Sequence, residues 1–382
     1  MPALYIHIPY CLQKCRYCGF VSFPVNYQEE MPSTAGQKDY VPDAYIDALC
    51  QEMRETAEQR YFSGDNGYKY TNNIISTVYV GGGTPSLLAA AQLARIIAGV
   101  KSVFALADDA EFTLEANPET YTREKFLAYR ALGVNRISLG IQSFQPEYLR
   151  YLGRAHSREK AAEALRGARE IFDNVSVDLL NNLPGQTLEQ SAADLRTALD
   201  FQPRHISCYE LTVERGTPLA TERGTLAAEK TVRNELGAEM YLQTKKILED
   251  HGYAQYEISN YAQAGYASRH NLAYWSDEPY LGLGLAAHSY DKARKLRRAN
   301  TRDLKNYLQK IFHRESEPEN DFNKIMMGLR KNSGIPETYL DERQKAAAQK
   351  LVSEELLVWR NNNLCATNRG RLVLNQVLLE LM

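Results

Sequence analysis

The sequence has no long apolar run. Its most apolar extended stretch, Leu87 to Val100, spans 14 residues and is interrupted by Gln92 and Arg95, well short of the ~20 residues that a bilayer-spanning helix needs. No integral membrane segment is expected. The opening MPALYIHIPYC lacks a basic stretch followed by an apolar core, so it does not read as a secretory signal and a cytoplasmic protein is expected. Excess charge is lacking too: 45 Lys and Arg stand against 47 Asp and Glu, a formal net charge of −2. Binding to a phosphate backbone draws on a basic surplus, so nucleic acid is not an expected partner. Cysteine is scarce. Of the six, Cys50, Cys208 and Cys365 are scattered singly while Cys11, Cys15 and Cys18 crowd together, a spacing that excludes a disulfide framework. Repeats and low-complexity tracts are absent, which excludes a solenoid. What remains is a chain of 382 residues, 44% hydrophobic and 24% charged, long enough to bury a large core.

Short β-rich runs recur at 4–8, 75–80, 111–115, 136–140, 175–179 and 205–211. Amphipathic helical patterns lie between them at 85–104, 122–132, 157–172 and 187–201. About six βα units result, and strands joined through helices run parallel. Periodicity alone leaves an open sheet and a barrel equally possible. Residues 23–40 and 259–288 lack a period and read as long functional loops. Beyond residue 300 the alternation stops. Helical patterns at 301–312, 321–329, 337–340 and 341–354 precede two short strands around the NNN turn at 361–363 and a closing helix. This predicts a small, mainly helical, winged-helix-like C-terminal domain (residues 291–382) after an α/β domain (residues 1–290). Residues 301–382 carry thirteen Lys and Arg against eleven Asp and Glu, too balanced for DNA binding.

The cysteine triplet follows the first strand directly, as C-x3-C-x2-C in YIHIPYCLQKCRYCGF. Three readings fit these residues: reduced cysteines in an ordinary loop, a zinc site, or an iron–sulfur cluster. Structural zinc takes four ligands, so zinc requires a fourth, for which His7 is the nearest candidate. A four-iron cluster on three cysteines keeps one iron open to a ligand. Downstream, VYVGGGTPS puts Gly81, Gly82 and Gly83 at a strand end, where a missing Cβ lets backbone approach a ligand. Glu115 in LEANPE, Gln142 in ISLGIQSF, Arg154 and His156 in LGRAHS, and Asp178 in VSVDLL fall at or just after successive strand ends. Parallel α/β folds build ligand sites on that face.

The cysteine spacing with its aromatic before the third Cys resembles the radical S-adenosylmethionine (SAM) superfamily. The GGGTPS, LEANPE, RISLGIQSF, LGRAH, LPGQT and SRHNLAYW–GLGLAAHS elements are similar to its oxygen-independent coproporphyrinogen III oxidase-like family. The resemblance implies a partial (β/α)6 barrel and a [4Fe–4S] cluster on Cys11, Cys15 and Cys18. The open iron of that cluster chelates SAM, whose cleavage yields a 5′-deoxyadenosyl radical. It further implies a SAM site formed by Tyr5, Tyr17, Gly82, Gly83, Glu115, Gln142, Arg154 and Asp178, and a reductant such as flavodoxin or ferredoxin.

Two features point to the family's heme-chaperone branch. Its dehydrogenases carry a long segment before the cluster and a further Cys two residues beyond the third, whereas here Cys11 lies ten residues in and Phe20 occupies that position. Heme binding and delivery to heme-accepting proteins is then implied, with His270 of the HNxxYW element as the heme-linked residue and His288 as second choice. No catalytic side chain is assigned. The rival readings are decarboxylation of coproporphyrinogen III or another tetrapyrrole conversion, and a zinc-bound interaction protein. Departures from the branch pattern are Gly19 in place of Asp, Tyr10 in place of Trp or Phe, Asn181–Asn182 in place of an aromatic–Gly pair, and the longer 23–40 segment.

Overall fold

The computed structural model describes residues 2–25, 40–58, 74–221 and 230–382. Six parallel strands form where alternation predicts them: β1 (Ala3–Ile8), β2 (Ile74–Gly82), β3 (Ala105–Ala116), β4 (Arg136–Gln142), β5 (Asn174–Asn181) and β6 (His205–Glu210). Strands β1, β2, β4 and β5 bury both faces along most of their length, and β3 does so over its C-terminal half, as parallel strands covered by helices do. Helices Ala90–Val103, Arg123–Ala131, Arg158–Ile171 and Leu188–Leu199 make crossovers. Thr122, Ser157 and Thr187 cap three of them by accepting a backbone N–H three residues on, which satisfies one orphan donor of each first turn.

The sheet is larger than six strands. It continues through β7 (Ala254–Glu257), β8 (Asn260–Ala262), β9 (Tyr280–Leu283), β10 (His288–Asp291), β11 (Leu296–Asn300) and β12 (Arg314–Pro318), in the order β12-β11-β10-β9-β1-β2-β3-β4-β5-β6-β8-β7. Its two ends are not joined, so the architecture is a partial α/β barrel. Strand β9 is a seventh parallel strand beside β1.

Residues 259–288 are therefore no long loop: they hold β8, helix Arg269–Trp275 and β9. These elements are three, seven and four residues long, too short to show a period. The 301–312 pattern yields only helix Leu304–Leu308. A domain boundary at 290/291 cuts strand β10, whose hairpin partner β11 and the edge strand β12 carry the sheet to Pro318. Strand β12 is polar and mostly exposed, as edge strands are, which hides it from hydrophobic patterning. Most of the 23–40 segment lies outside the described residues.

The C-terminal unit packs helix Glu342–Ser353 and helices Asn368–Leu372 and Leu374–Leu381 around β13 (Ile335–Pro336), β14 (Leu357–Arg360) and β15 (Asn363–Ala366). Its separate core includes Ile325, Leu329, Leu351, Leu364 and Val377, and the arrangement is winged-helix-like. It docks through a buried hydrogen bond from Arg371 Nη1 to Gln255 Oε1 (2.8 Å) and through Asn332 N to Tyr256 O (3.0 Å).

Candidate functional site

The cysteine loop leaves β1 at Pro9 and is tied to the barrel from three sides. Residues Tyr10–Cys11 pair with Phe23–Pro24. Thr84 N donates to Tyr10 O (2.7 Å) and Arg16 N donates to Leu152 O (3.0 Å), while Leu219 N donates to Arg16 O (3.1 Å). Gly83 is required by the contact: a Cβ there would lie 2.6 Å from Tyr10 O, 2.9 Å from Tyr10 N and 3.0 Å from Cys11 Sγ. Gly82 sits at φ +118°, and a Cβ on it would meet the His7 ring at 2.6 Å.

Cys11, Cys15 and Cys18 line one cavity of about 340 Å³ at the C-terminal ends of the parallel strands, together with Tyr17, Gly82, Gly83, Glu115, Gln142, Arg154 and Asp178. The strands deliver Gly82, Glu115, Gln142 and Asp178 to one place because each ends at the same layer of the sheet, and the cysteine loop and the turn carrying Arg154 close on them. Arg154 Nη1 approaches Cys15 Sγ at 3.2 Å, and its Nη2 donates to Asn117 Oδ1 (2.8 Å) and Gly140 O (2.5 Å). Glu115 accepts from Gly82 N (3.0 Å) and Tyr79 Oη (2.8 Å). Burial, with Asp178 nearby, pushes its carboxyl up to about 7. Asp178 accepts from Ser138 Oγ at 3.0 Å, and burial raises its carboxyl as well. Burial likewise raises the thiols of Cys11 and Cys18. His156 does not reach the cavity lining; it is clamped between Glu119 (3.2 Å) and Ile141 O (3.1 Å).

Three sequence-predicted residues behave differently. Tyr5 does not line this cavity: its hydroxyl is 2.9 Å from His7 Nδ1. His7 Nε2 donates to Val21 O (2.8 Å), so both ring nitrogens are engaged and His7 is not a fourth metal ligand. Among the described residues, no three His, Cys, Asp or Glu side chains converge on a single ion position. His270 is 1% exposed, with Nδ1 at 2.8 Å from Thr77 Oγ1 and Nε2 at 3.0 Å from the Tyr274 hydroxyl. Burial, with Arg136 nearby, pushes its imidazole down to about 3. Neither nitrogen is available to iron.

Sequence reasoning missed Arg136. This guanidinium is 2% exposed, lines the cavity and acts on both Glu115 and Asp178, yet its Nε has no hydrogen-bond partner among the described residues. Its signal was a lone arginine opening an otherwise apolar strand, RISLGI. An unpaired buried donor calls for a ligand. The residues present therefore fit the groups that the superfamily resemblance implies. Three thiols face a cavity with two half-buried carboxyls, a glycine turn and two guanidinium groups, the half-buried Arg154 and the buried Arg136, each with a buried Nε that has no partner among the described residues.

The departures from the branch pattern have local causes. Asn182 adopts φ +53° and donates to Glu210 Oε1 (2.6 Å), so it takes the left-handed position of a glycine, as asparagine tolerates. A Cβ on Gly19 would meet Glu214 Cβ and Cγ at 3.0 Å, so a larger residue there requires the exposed Glu214 side chain to shift. Tyr10 stacks edge-on against Tyr45 (5.5 Å), and its hydroxyl has no partner among the described residues.

Residues 5–198 match the radical SAM superfamily. The heme chaperone HemW of Escherichia coli is 36% identical over 312 residues, covering 80% of this chain and 75% of that protein. HemW of Synechocystis is 34% identical over 92% of this chain and 83% of its own length. The Bacillus subtilis HemW is 34% identical over 99% and 98%. Among solved structures, the coproporphyrinogen III oxidase HemN of Escherichia coli superposes with a TM-score of 0.78 over 100% of this chain and 90% of that one, at 23% identity. That likeness establishes the fold. Because the HemW matches run from the cysteine loop through the C-terminal unit, the chain belongs to the HemW family of the radical SAM superfamily.

Proposed function

We propose that this protein is a cytoplasmic heme chaperone that holds a [4Fe–4S] cluster on Cys11, Cys15 and Cys18, binds SAM beside it, and passes heme to acceptor proteins. The observation that carries the reading is the shared cavity: the three thiols open onto the same space as Gly82, Gly83, Glu115, Gln142, Arg154 and Asp178, in a chain of HemW kinship. A reducing compartment keeps the thiols available for iron. When bound, the cluster supplies an open iron coordination site and an electron, delivered by a reductant such as flavodoxin or ferredoxin.

The chain's own residues do the binding. The Gly82–Gly83 turn lets backbone approach a ligand without a side chain intervening. Glu115 and Asp178 offer half-buried carboxyls to the ammonium and hydroxyl groups of a nucleoside-linked amino acid, and Gln142 offers an amide. Gln142 reaches inward because its backbone turns at φ +71°. Arg154 places positive charge against Cys15, which offsets the negative charge of a thiolate-ligated cluster. Tyr17 lines the cavity with Cys15 and Cys18.

The test uses protein purified and reconstituted without oxygen. About four irons and four sulfides per chain are expected, and their loss in Cys15→Ala. Hemin titration is expected to saturate, and incubation with coproporphyrinogen III, SAM and reductant to yield no protoporphyrinogen. Decarboxylated product together with 5′-deoxyadenosine would make the protein an enzyme of the oxidase type.

A further inference from the structure

A second cavity of about 440 Å³ opens on the other side of the cysteine loop. Gly19, Phe20 and Val21 form its wall toward the cysteines, and Phe20, 67% exposed, lines both cavities. The opposite wall is aromatic. Tyr274 meets Tyr280 edge-on with ring centres 4.5 Å apart, and Trp275 and Met327 complete the apolar lining. Arg330 lies over the Trp275 ring at 4.6 Å, fixing the indole plane from the C-terminal side. At the rim, His288 and Arg302 belong both to this cavity and to an adjoining polar cleft that contains Arg297, Arg298, His313, Glu315 and Glu317.

A flat apolar macrocycle with an iron at its centre and carboxylates on one edge needs three things: an apolar slot, one ligating side chain, and cations at the rim. The seven histidines narrow the choice of ligand. His7, His156, His205 and His270 have both ring nitrogens hydrogen-bonded, and His251 Nδ1 is bound to Ile247 O. Among the described residues only His288 and His313 have imidazoles with no hydrogen-bond partner, and of these His288 alone faces the aromatic slot. It is exposed at the start of β10. Partial enclosure of the ring and the nearby Arg302 lower its proton affinity, which favours the neutral, ligating form. Arg302 is exposed and makes no ion pair among the described residues.

We infer that the heme cargo occupies this aromatic cavity, with His288 as the iron ligand and Arg302 holding a propionate. The inference rests on the chaperone reading and replaces the buried, doubly hydrogen-bonded His270 as the ligand.

The test is hemin titration of the reconstituted full chain, followed by absorption and resonance Raman spectroscopy. His288→Ala is expected to weaken binding by at least about tenfold and to remove the iron–imidazole signature. His288→Cys is expected to regain binding with a thiolate-type spectrum, a change that no structural role for His288 would produce. Arg302→Ala is expected to weaken hemin several-fold while leaving hemin dimethyl ester, which has no free propionate, unaffected. Far-UV circular dichroism and iron content of each variant report folding separately. If the wild-type chain binds hemin and His288→Ala and His288→Cys keep its affinity and spectrum, the site is wrong while the chaperone reading stands. If the wild-type chain binds no heme, the chaperone reading falls and the site with it.

Discussion

Adding one methyl group at Gly83 should remove the cluster. Gly83 has no positive φ, so alanine is allowed there by its own backbone, and only the surroundings resist it. Those surroundings cannot yield cheaply. The new Cβ would sit 2.6 Å from Tyr10 O and 2.9 Å from Tyr10 N, and both are main-chain atoms. Relief requires the Tyr10–Cys11 segment and the glycine turn to separate. That breaks the bonds from Gly83 N to Ile8 O (2.8 Å) and from Thr84 N to Tyr10 O (2.7 Å). Overpacking costs about 1–3 kcal/mol and each lost peptide hydrogen bond about 1 kcal/mol, giving about 3–5 kcal/mol in all. That is a large share of the roughly 5–15 kcal/mol by which folded domains are stable. Cys11 moves with the segment, so its thiol leaves the position shared with Cys15 and Cys18. Two assays read the effect of Gly83→Ala: the urea midpoint of the apoprotein, expected to fall, and iron and sulfide per chain after reconstitution, expected to drop to the level of Cys15→Ala. Wild-type iron content at an unchanged midpoint would refute the reasoning.

Tyr10→Phe is expected to be neutral or to stabilise by up to about 1 kcal/mol, since it removes a buried hydroxyl without a partner among the described residues and keeps the ring against Tyr45; a clear loss in the denaturation midpoint would show that the hydroxyl is used. Glu115 has its carboxyl raised to about 7, so its contribution to stability is complete below the unfolded carboxylate range and is lost as pH rises through about 7. The ligand-free wild type should therefore lose more stability between pH 5 and 8 than Glu115→Gln does, and parallel profiles would contradict this. Arg371→Ala leaves Gln255 Oε1 without its buried donor and should cost about 1–3 kcal/mol. Limited proteolysis should then release the C-terminal unit faster, and unchanged digestion would mean that the docking does not depend on this bond.

The parallel half of the barrel was legible because its strands are largely buried on both faces and its crossover helices carry clear apolar stripes, three of them with Ser or Thr caps. The cysteine cavity was legible for a related reason. In a parallel sheet, strand ends share a layer, so residues at those ends meet without any knowledge of distances; Glu115, Gln142 and Asp178 do meet, and Arg154 joins them from the turn after helix Pro146–Leu152. The edges of the sheet were not legible. Strand β12 buries no side chain fully and helix Arg269–Trp275 is two turns long, so neither leaves a hydrophobic period to read.

The histidines mark where reading a motif stops being enough. A histidine in an aromatic-rich element looks like a ligand, but whether it can ligate depends on partners that register supplies from far along the chain. Thr77, 193 residues away, takes Nδ1 of His270. Pairing of β1 with β2 in turn brings Tyr79 beside Tyr5, and the stacked Tyr79 ring, 4.9 Å from His270, closes the space around it. His288 has the opposite situation. Its strand, β10, meets β9 at the Tyr280–Tyr290 pair and β11 along its length. That register leaves the first residue of the strand at the rim, between an apolar cavity and a polar cleft, with its imidazole unbonded among the described residues. The same sheet thus buries one histidine as a structural bridge and presents another to solvent. The difference lies in where each residue sits, His270 inside a helix packed against the sheet and His288 at the start of a strand, and not in the local sequence around either residue.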